Sequence, residues 1–85
     1  MDYGIIVYSS ITVANRAKKL AANQIGYIGI IQIPAKLGIK GCNYSVRCKF
    51  DDLELMQSIS AEYGLKIKAA FRETTQDGEK VYTKL

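Results

Sequence analysis

Asn43-Tyr44-Ser45-Val46-Arg47-Cys48-Lys49-Phe50, followed at once by Asp51-Asp52-Leu53-Glu54, is the stretch that decides the fold. Its residues alternate. Tyr44, Val46, Cys48 and Phe50 fall on one side of an extended chain, and Asn43, Ser45, Arg47 and Lys49 fall on the other, which is the period of a β-strand. The run before it, Tyr27 to Ile33, is also β-rich and is ended by Pro34, which cannot donate to a strand ladder. Two strands therefore follow one another in the middle of the chain, and Asp51 or Asp52 caps a helix immediately after the second.

Outward from that centre, the elements repeat on both sides. Tyr3 to Tyr8 is a continuous apolar and aromatic run, the pattern of a central strand buried on both faces. Ser9 and Ser10 cap a helix over about Ile11 to Asn23, in which Ala14, Ala17, Leu20 and Ala21 oppose Asn15, Arg16, Lys18 and Lys19, with Gly26 as the stop. In the second helix Leu53, Met56, Ile59 and Tyr63 form the expected buried stripe, closed by Gly64. Leu65 to Arg72 is a fourth strand; Leu65, Ile67, Ala69 and Phe71 are expected to pack on the helices, while the opposite face of Lys66, Lys68, Ala70 and Arg72 shows the positive charge of its lysines and arginine. With right-handed crossovers, the order β-α-β-β-α-β gives an α+β, ferredoxin-like βαββαβ sandwich, a four-stranded antiparallel sheet with two helices on one face. Residues 1–72 form this domain. Residues 73–85 are read as a polar C-terminal tail or a short β-hairpin extension, with Asp77-Gly78 as the turn and Val81-Tyr82-Thr83 as an extra strand.

Composition limits the chemistry. The 85 residues are 48% hydrophobic and 24% charged with one proline, which suits a single folded domain with a compact core. Gln24, Gln32 and Lys36 interrupt the longest apolar region, so nothing approaches the roughly 18 apolar residues of a membrane helix. Asp2 and the lack of a basic n-region argue against a signal peptide, and the expected location is cytoplasmic. Histidine is absent, which removes Cys–His and Ser–His pairs and the commonest zinc ligand; no metal site and no cofactor are expected. If residues 42 to 48 are extended, Cys42 and Cys48 stand about 20 Å apart, too far for the roughly 4.4–6.8 Å Cα separation of a disulfide.

Cys42 is the candidate for chemistry. It ends the loop Ile33-Pro34-Ala35-Lys36-Leu37-Gly38-Ile39-Lys40-Gly41, whose lysines and backbone N–H groups would favour thiolate over thiol. Cys48, between Val46 and Phe50 on the apolar side of its strand, reads as core. Gly38 and Gly41 lack phosphate-loop spacing and read as turn glycines.

The strand leading to Ser9-Ser10-Ile11-Thr12, the helix Ala14-Asn15-Arg16-Ala17-Lys18-Lys19-Leu20, the strand ending in Ile33-Pro34, and Gly41-Cys42 followed by Tyr44-Ser45-Val46-Arg47 resemble a small bacterial family, the putative selenium/sulfur carrier-like proteins. The resemblance spans about residues 4 to 72. It places the family cysteine on Cys42, the family arginine on Arg47, and the family Asp-Leu-Glu on Asp52-Leu53-Glu54. One position departs: the family pattern continues Cys-Gly where this chain has Asn43, a residue that tolerates positive φ better than most. The resemblance implies a carrier, rather than a self-contained enzyme, that relays a sulfur or selenium atom on Cys42, with Lys36, Lys40, Gly41, Asn43 and Arg47 supporting its anion. It also implies a cysteine desulfurase-like donor and an acceptor protein as partners.

Two other classes fit the residues. A net charge of +4 and a pI near 9.1, with Arg47, Lys49, Lys66, Lys68 and Arg72 on one sheet face, suit a nucleic-acid-binding module, although the aromatic RNA-recognition signature is missing. A small regulatory or structural homodimer joined through an apolar open face is the third, with Ala69-Ala70, Ile6 and Ile31 as its features.

Overall fold

In the computed structural model, residues 2–33 and 44–85 are described. The elements are β1 (Tyr3–Tyr8), α1 (Ile11–Ala21), β2 (Ile28–Gln32), β3 (Tyr44–Lys49), a 3-10 turn (Phe50–Asp52), α2 (Leu53–Glu62), β4 (Ile67–Gln76) and β5 (Glu79–Lys84). The strands form one antiparallel sheet in the order β2-β3-β1-β4-β5. The first four reproduce the ferredoxin-like arrangement, and β5 adds a strand at the β4 edge. Strand β1 is central as expected: Ile5, Ile6, Val7 and Tyr8 have no solvent exposure.

Caps account for the start of α1 and the end of α2, whereas Asp52, expected to cap α2, has helical dihedrals and makes no side-chain capping bond. Ser10 is extended, and its hydroxyl accepts the Val13 N–H at 3.2 Å, satisfying one of the free donors of the first turn of α1. Helix α2 ends in a Schellman motif: Gly64 has φ 69°, the Leu65 N–H donates to the Ser60 carbonyl and the Gly64 N–H to the Ala61 carbonyl. Because Tyr63 is the cap and no longer helical, it leaves the expected stripe and stands 49% exposed. Ser60 is buried in its place. Its hydroxyl donates to the Met56 carbonyl at 2.8 Å, so the Tyr8 phenol, 2.7 Å away, donates to Ser60. The β4–β5 hairpin turns through Asp77 (φ 50°) and Gly78 (φ 80°), both in the left-handed region that a type I′ turn requires.

The sheet separates two apolar clusters. Ile6, Tyr8, Val46, Cys48, Leu65 and Ile67 pack with Ala14, Ala17 and Ala21 of α1 and Leu53, Met56 and Ile59 of α2. On the other face Ile5, Val7 and Phe71 pack with Ile31, Ile33, Ala69 and Tyr82. This corrects the expected alternation of β4. Val7 pairs with Ala69 but Tyr8 pairs with Ile67, so Lys68 is an extra residue in a β-bulge. The bulge reverses parity: Leu65 and Ile67 face the helices, whereas Ala69 and Phe71 face away.

Gly4 marks the closest approach of α2 to the sheet. A Cβ there would lie 2.7 Å from Leu53 Cδ1 and 3.1 Å from Leu53 Cβ. Gly4→Ala is therefore expected to cost about 1–3 kcal/mol in urea denaturation, through overpacking. Leu53→Ala in the same chain should make the added methyl cost less. An unchanged midpoint for Gly4→Ala would show that α2 moves aside freely.

Candidate functional site

The register fixes which groups share an end of the sheet. Val7 pairs with Ser45, Gln32 with Tyr44, and Tyr8 with Ile67. The end of β1, the end of β2, the start of β3 and the first turn of α1 therefore lie together. Ile33 and Tyr44, which flank residues 34–43, both stand at this end. Cys42, Lys36, Lys40, Gly41 and Asn43 lie outside the described residues. The first turn of α1 contains no acidic side chain, so its free N–H groups and positive dipole end are uncompensated by charge.

Arg47 lies on the face away from the helices, in a polar cluster that crosses the sheet. Its Nη2 donates to Glu73 Oε1 at 2.9 Å, its Nε to Glu73 Oε2 at 3.3 Å, and its Nη1 to the Tyr27 hydroxyl at 3.1 Å. The guanidinium sits 3.6 Å from the Tyr3 ring centroid, a cation–π contact above the strand that separates β3 from β4. The bidentate Glu73 carboxylate holds the guanidinium charged more firmly than usual, with burial acting against it. Glu73 is 3% exposed, and Lys80 Nζ approaches it at 3.8 Å. Tyr82 stands opposite Glu73 on β5; burial, then the Glu73 charge, raises its phenol pKa. Glu73 was read from sequence as part of a polar tail. The missing signal is the register: Glu73 reaches Arg47 only because β4 continues past Arg72 and the bulge at Lys68 sets its parity.

The five basic residues expected on one face do not share it. Arg47 is paired with Glu73. Arg72 lies on the helix side, paired with Asp2 and 4.4 Å from the Phe50 ring centroid. Lys68 is the bulge residue, and Lys66 precedes β4. The centre of the outer face is apolar instead. It is also already covered within the chain, since Ile5 and Val7 have no exposure and Phe71 has 5%. Ile6 and Ala70, expected as features of a dimer face, lie on the helix side of the sheet.

Cys48 is a core thiol. It has no solvent exposure, and burial, then the Asp52 charge, pushes its pKa up to about 11. A folded-state value above the unfolded value of 9.0 means stability is fully present below pH 9 and falls as pH rises toward 11. Over that window Cys48→Ala is expected to flatten the loss of stability by about 2 kcal/mol relative to the parent chain. Denaturant midpoints at pH 8, 9, 10 and 11 measure it; parallel curves would contradict the buried-thiol reading.

Among the described residues no group of three potential metal ligands occurs, and no helix is long and apolar enough to cross a membrane. Ser45 Oγ is fully buried and, among the described residues, has no hydrogen-bond partner.

No curated protein and no solved structure matches the chain. A protein-family model does, over residues 3–72, and the chain belongs to that family, described as putative Se/S carrier protein-like.

Proposed function

We propose that this member of the Se/S carrier family relays a chalcogen atom on Cys42 between partner proteins. The observation that carries the reading is the disposition of the two cysteines. Both lie in the segment that the family model matches, and one of them, Cys48, is sealed in the core with its pKa raised. A buried thiol held protonated is neither accessible nor nucleophilic. Cys42 is then the cysteine left for transfer. The start of α1 supports this electrostatically, because its uncompensated N-terminus lies at the end of the sheet where both flanks of the Cys42 segment stand.

The transfer needs no general base and no cofactor. The Cys42 thiolate attacks the terminal sulfur of a donor persulfide, R–S–SH. The donor S–S bond breaks, a Cys42–S–SH persulfide forms, and R–S⁻ leaves with the electron pair. The acceptor repeats the exchange in the other direction, and selenium follows the same balance. Lys36, Lys40, and the backbone at Gly41 and Asn43 would stabilise the anion. Arg47 would support the site from a distance: its guanidinium is committed to Glu73 and Tyr27, so it anchors β3 just beyond Cys42. A cysteine desulfurase-like protein would be the donor and a sulfur- or selenium-using enzyme the acceptor, in the cytoplasm.

The test is mass spectrometry of the chain after incubation with a small persulfide such as glutathione persulfide. A gain of one sulfur on the peptide containing Cys42 is expected. Loading on neither cysteine would overturn the reading.

A further inference from the structure

The two helices carry opposite charge. Residues 11–24 contain Arg16, Lys18 and Lys19 and no acid, whereas residues 50–63 contain Asp51, Asp52, Glu54 and Glu62 and no base. At the buried spacing of each helix, set by Ala14, Ala17 and Ala21 in α1 and by Leu53, Met56, Ile59 and Ser60 in α2, Arg16 and Lys19 point away from the sheet, as do Glu54 and Glu62. All four are exposed. The ion pairs among the described residues join Arg47 to Glu73, Arg72 to Asp2 and Lys80 to Glu73, so none is made by either helix. Helix dipoles account for part of the pattern, since Lys19 is in the last turn of α1 and Glu54 in the first turn of α2. They do not account for Glu62, which ends α2 at the pole where a negative charge is unfavourable.

The topology adds a geometric selection. Strands β1 and β3 are antiparallel, so the helices that follow them are antiparallel too. The last turn of α1 and the first turn of α2 therefore lie at the same end of the molecule. A two-fold axis parallel to the helices, with the helix layers of two copies face to face, lays each α1 over the other copy's α2 and keeps the ends level. Lys19 then meets Glu54 of the second copy, and the same contact occurs twice. An axis perpendicular to the helices within that plane would set like charges together.

We propose that the helix layer is a self-association surface on which a second copy of this chain docks with its α2 against α1 and its α1 against α2. The surface is isologous, as a closed dimer requires. It is distinct from the outer sheet face, whose apolar centre is already covered within the chain.

The experiment uses two double variants of the full chain, Arg16→Glu with Lys19→Glu, and Glu54→Lys with Glu62→Lys, studied by sedimentation velocity at one fixed low salt concentration. Circular dichroism checks that each folds, and a mixture of the two gives a readout that misfolding cannot produce. The parent chain is expected to dimerise. Each variant alone is expected to weaken that association by about tenfold or more, the scale of two lost charge-pair contacts. The α1 variant reduces the net charge from +4 to zero, so its failure to associate would not be due to general repulsion. The mixture is expected to restore the dimer as a one-to-one heterodimer. A parent chain that is monomeric at about millimolar concentration, association that the reversals leave unchanged, or variants that fail to associate when mixed would each overturn the proposal.

Discussion

Removing residues 73–85 is expected to unfold the protein rather than trim it. The family model ends at residue 72, yet β4 continues to Gln76 and β5 pairs with it from Phe71 to Gln76. Truncation removes Glu73 and leaves the half-buried Arg47 guanidinium without its carboxylate. Breaking a buried pair by removing one partner costs about 3–5 kcal/mol; Arg47, at 18% side-chain exposure, belongs at or below the lower end. Truncation also removes Tyr82 from the cluster of Ile5, Val7 and Phe71; fully exposing one such side chain costs about 1.5–3 kcal/mol, and partial exposure costs a share of that. Together with the lost ladder, these terms approach the roughly 5–15 kcal/mol that a whole domain has. Circular dichroism and urea denaturation should show no cooperative transition for the 1–72 chain. The single change Glu73→Gln keeps β5 and should cost only about 1–3 kcal/mol. A truncated chain that unfolds at nearly the parent midpoint would show that the hairpin is an appendage.

The second large effect is chemical. Cys42→Ser is expected to abolish loading with sulfur, a fall of about 100-fold or more, because an alcohol forms no persulfide and is hardly ionised at neutral pH. Stability should change by less than about 1 kcal/mol, in contrast to Gly4→Ala and Glu73→Gln, since the swap is nearly isosteric. Cys48→Ala should do the reverse, with loading retained and stability reduced by the cavity that replaces a fully buried side chain. Loading that survives Cys42→Ser but fails with Cys48→Ala would assign the chemistry to the wrong thiol in this account.

Much of the fold was legible because it depends on local pattern. The unbroken apolar run of β1 announced a strand covered on both sides, Ser10 announced the start of α1, and Asp77-Gly78 announced a hairpin. What was not legible depends on register. One extra residue at Lys68 turned Ala69 and Phe71 away from the helices and set Glu73 beside Arg47, across 26 positions of sequence. No periodicity reveals a bulge of one residue. Tyr63 followed the apolar spacing of α2 but fell beyond its last turn, where the Schellman motif carries the chain away from the core. The basic face failed for the same reason, since Arg47 on β3 pairs with Ile5 and Arg72 on β4 pairs with Gly4, successive residues of β1 that face opposite ways. For the site, the sequence indicated Cys42 through its loop and through the family resemblance. The structure contributes the complementary half by showing what Cys48 does.

The central claim is that Cys42 is an activated thiol, and the rate of its alkylation by iodoacetamide across pH 5 to 9 tests it most directly. In the Cys48→Ala chain the one remaining thiol is Cys42, so the profile needs no deconvolution. The account predicts a sigmoid whose midpoint lies about one unit or more below the ordinary value near 8.5. A midpoint at or above 8.5, or labelling that becomes fast only after denaturation, would contradict it.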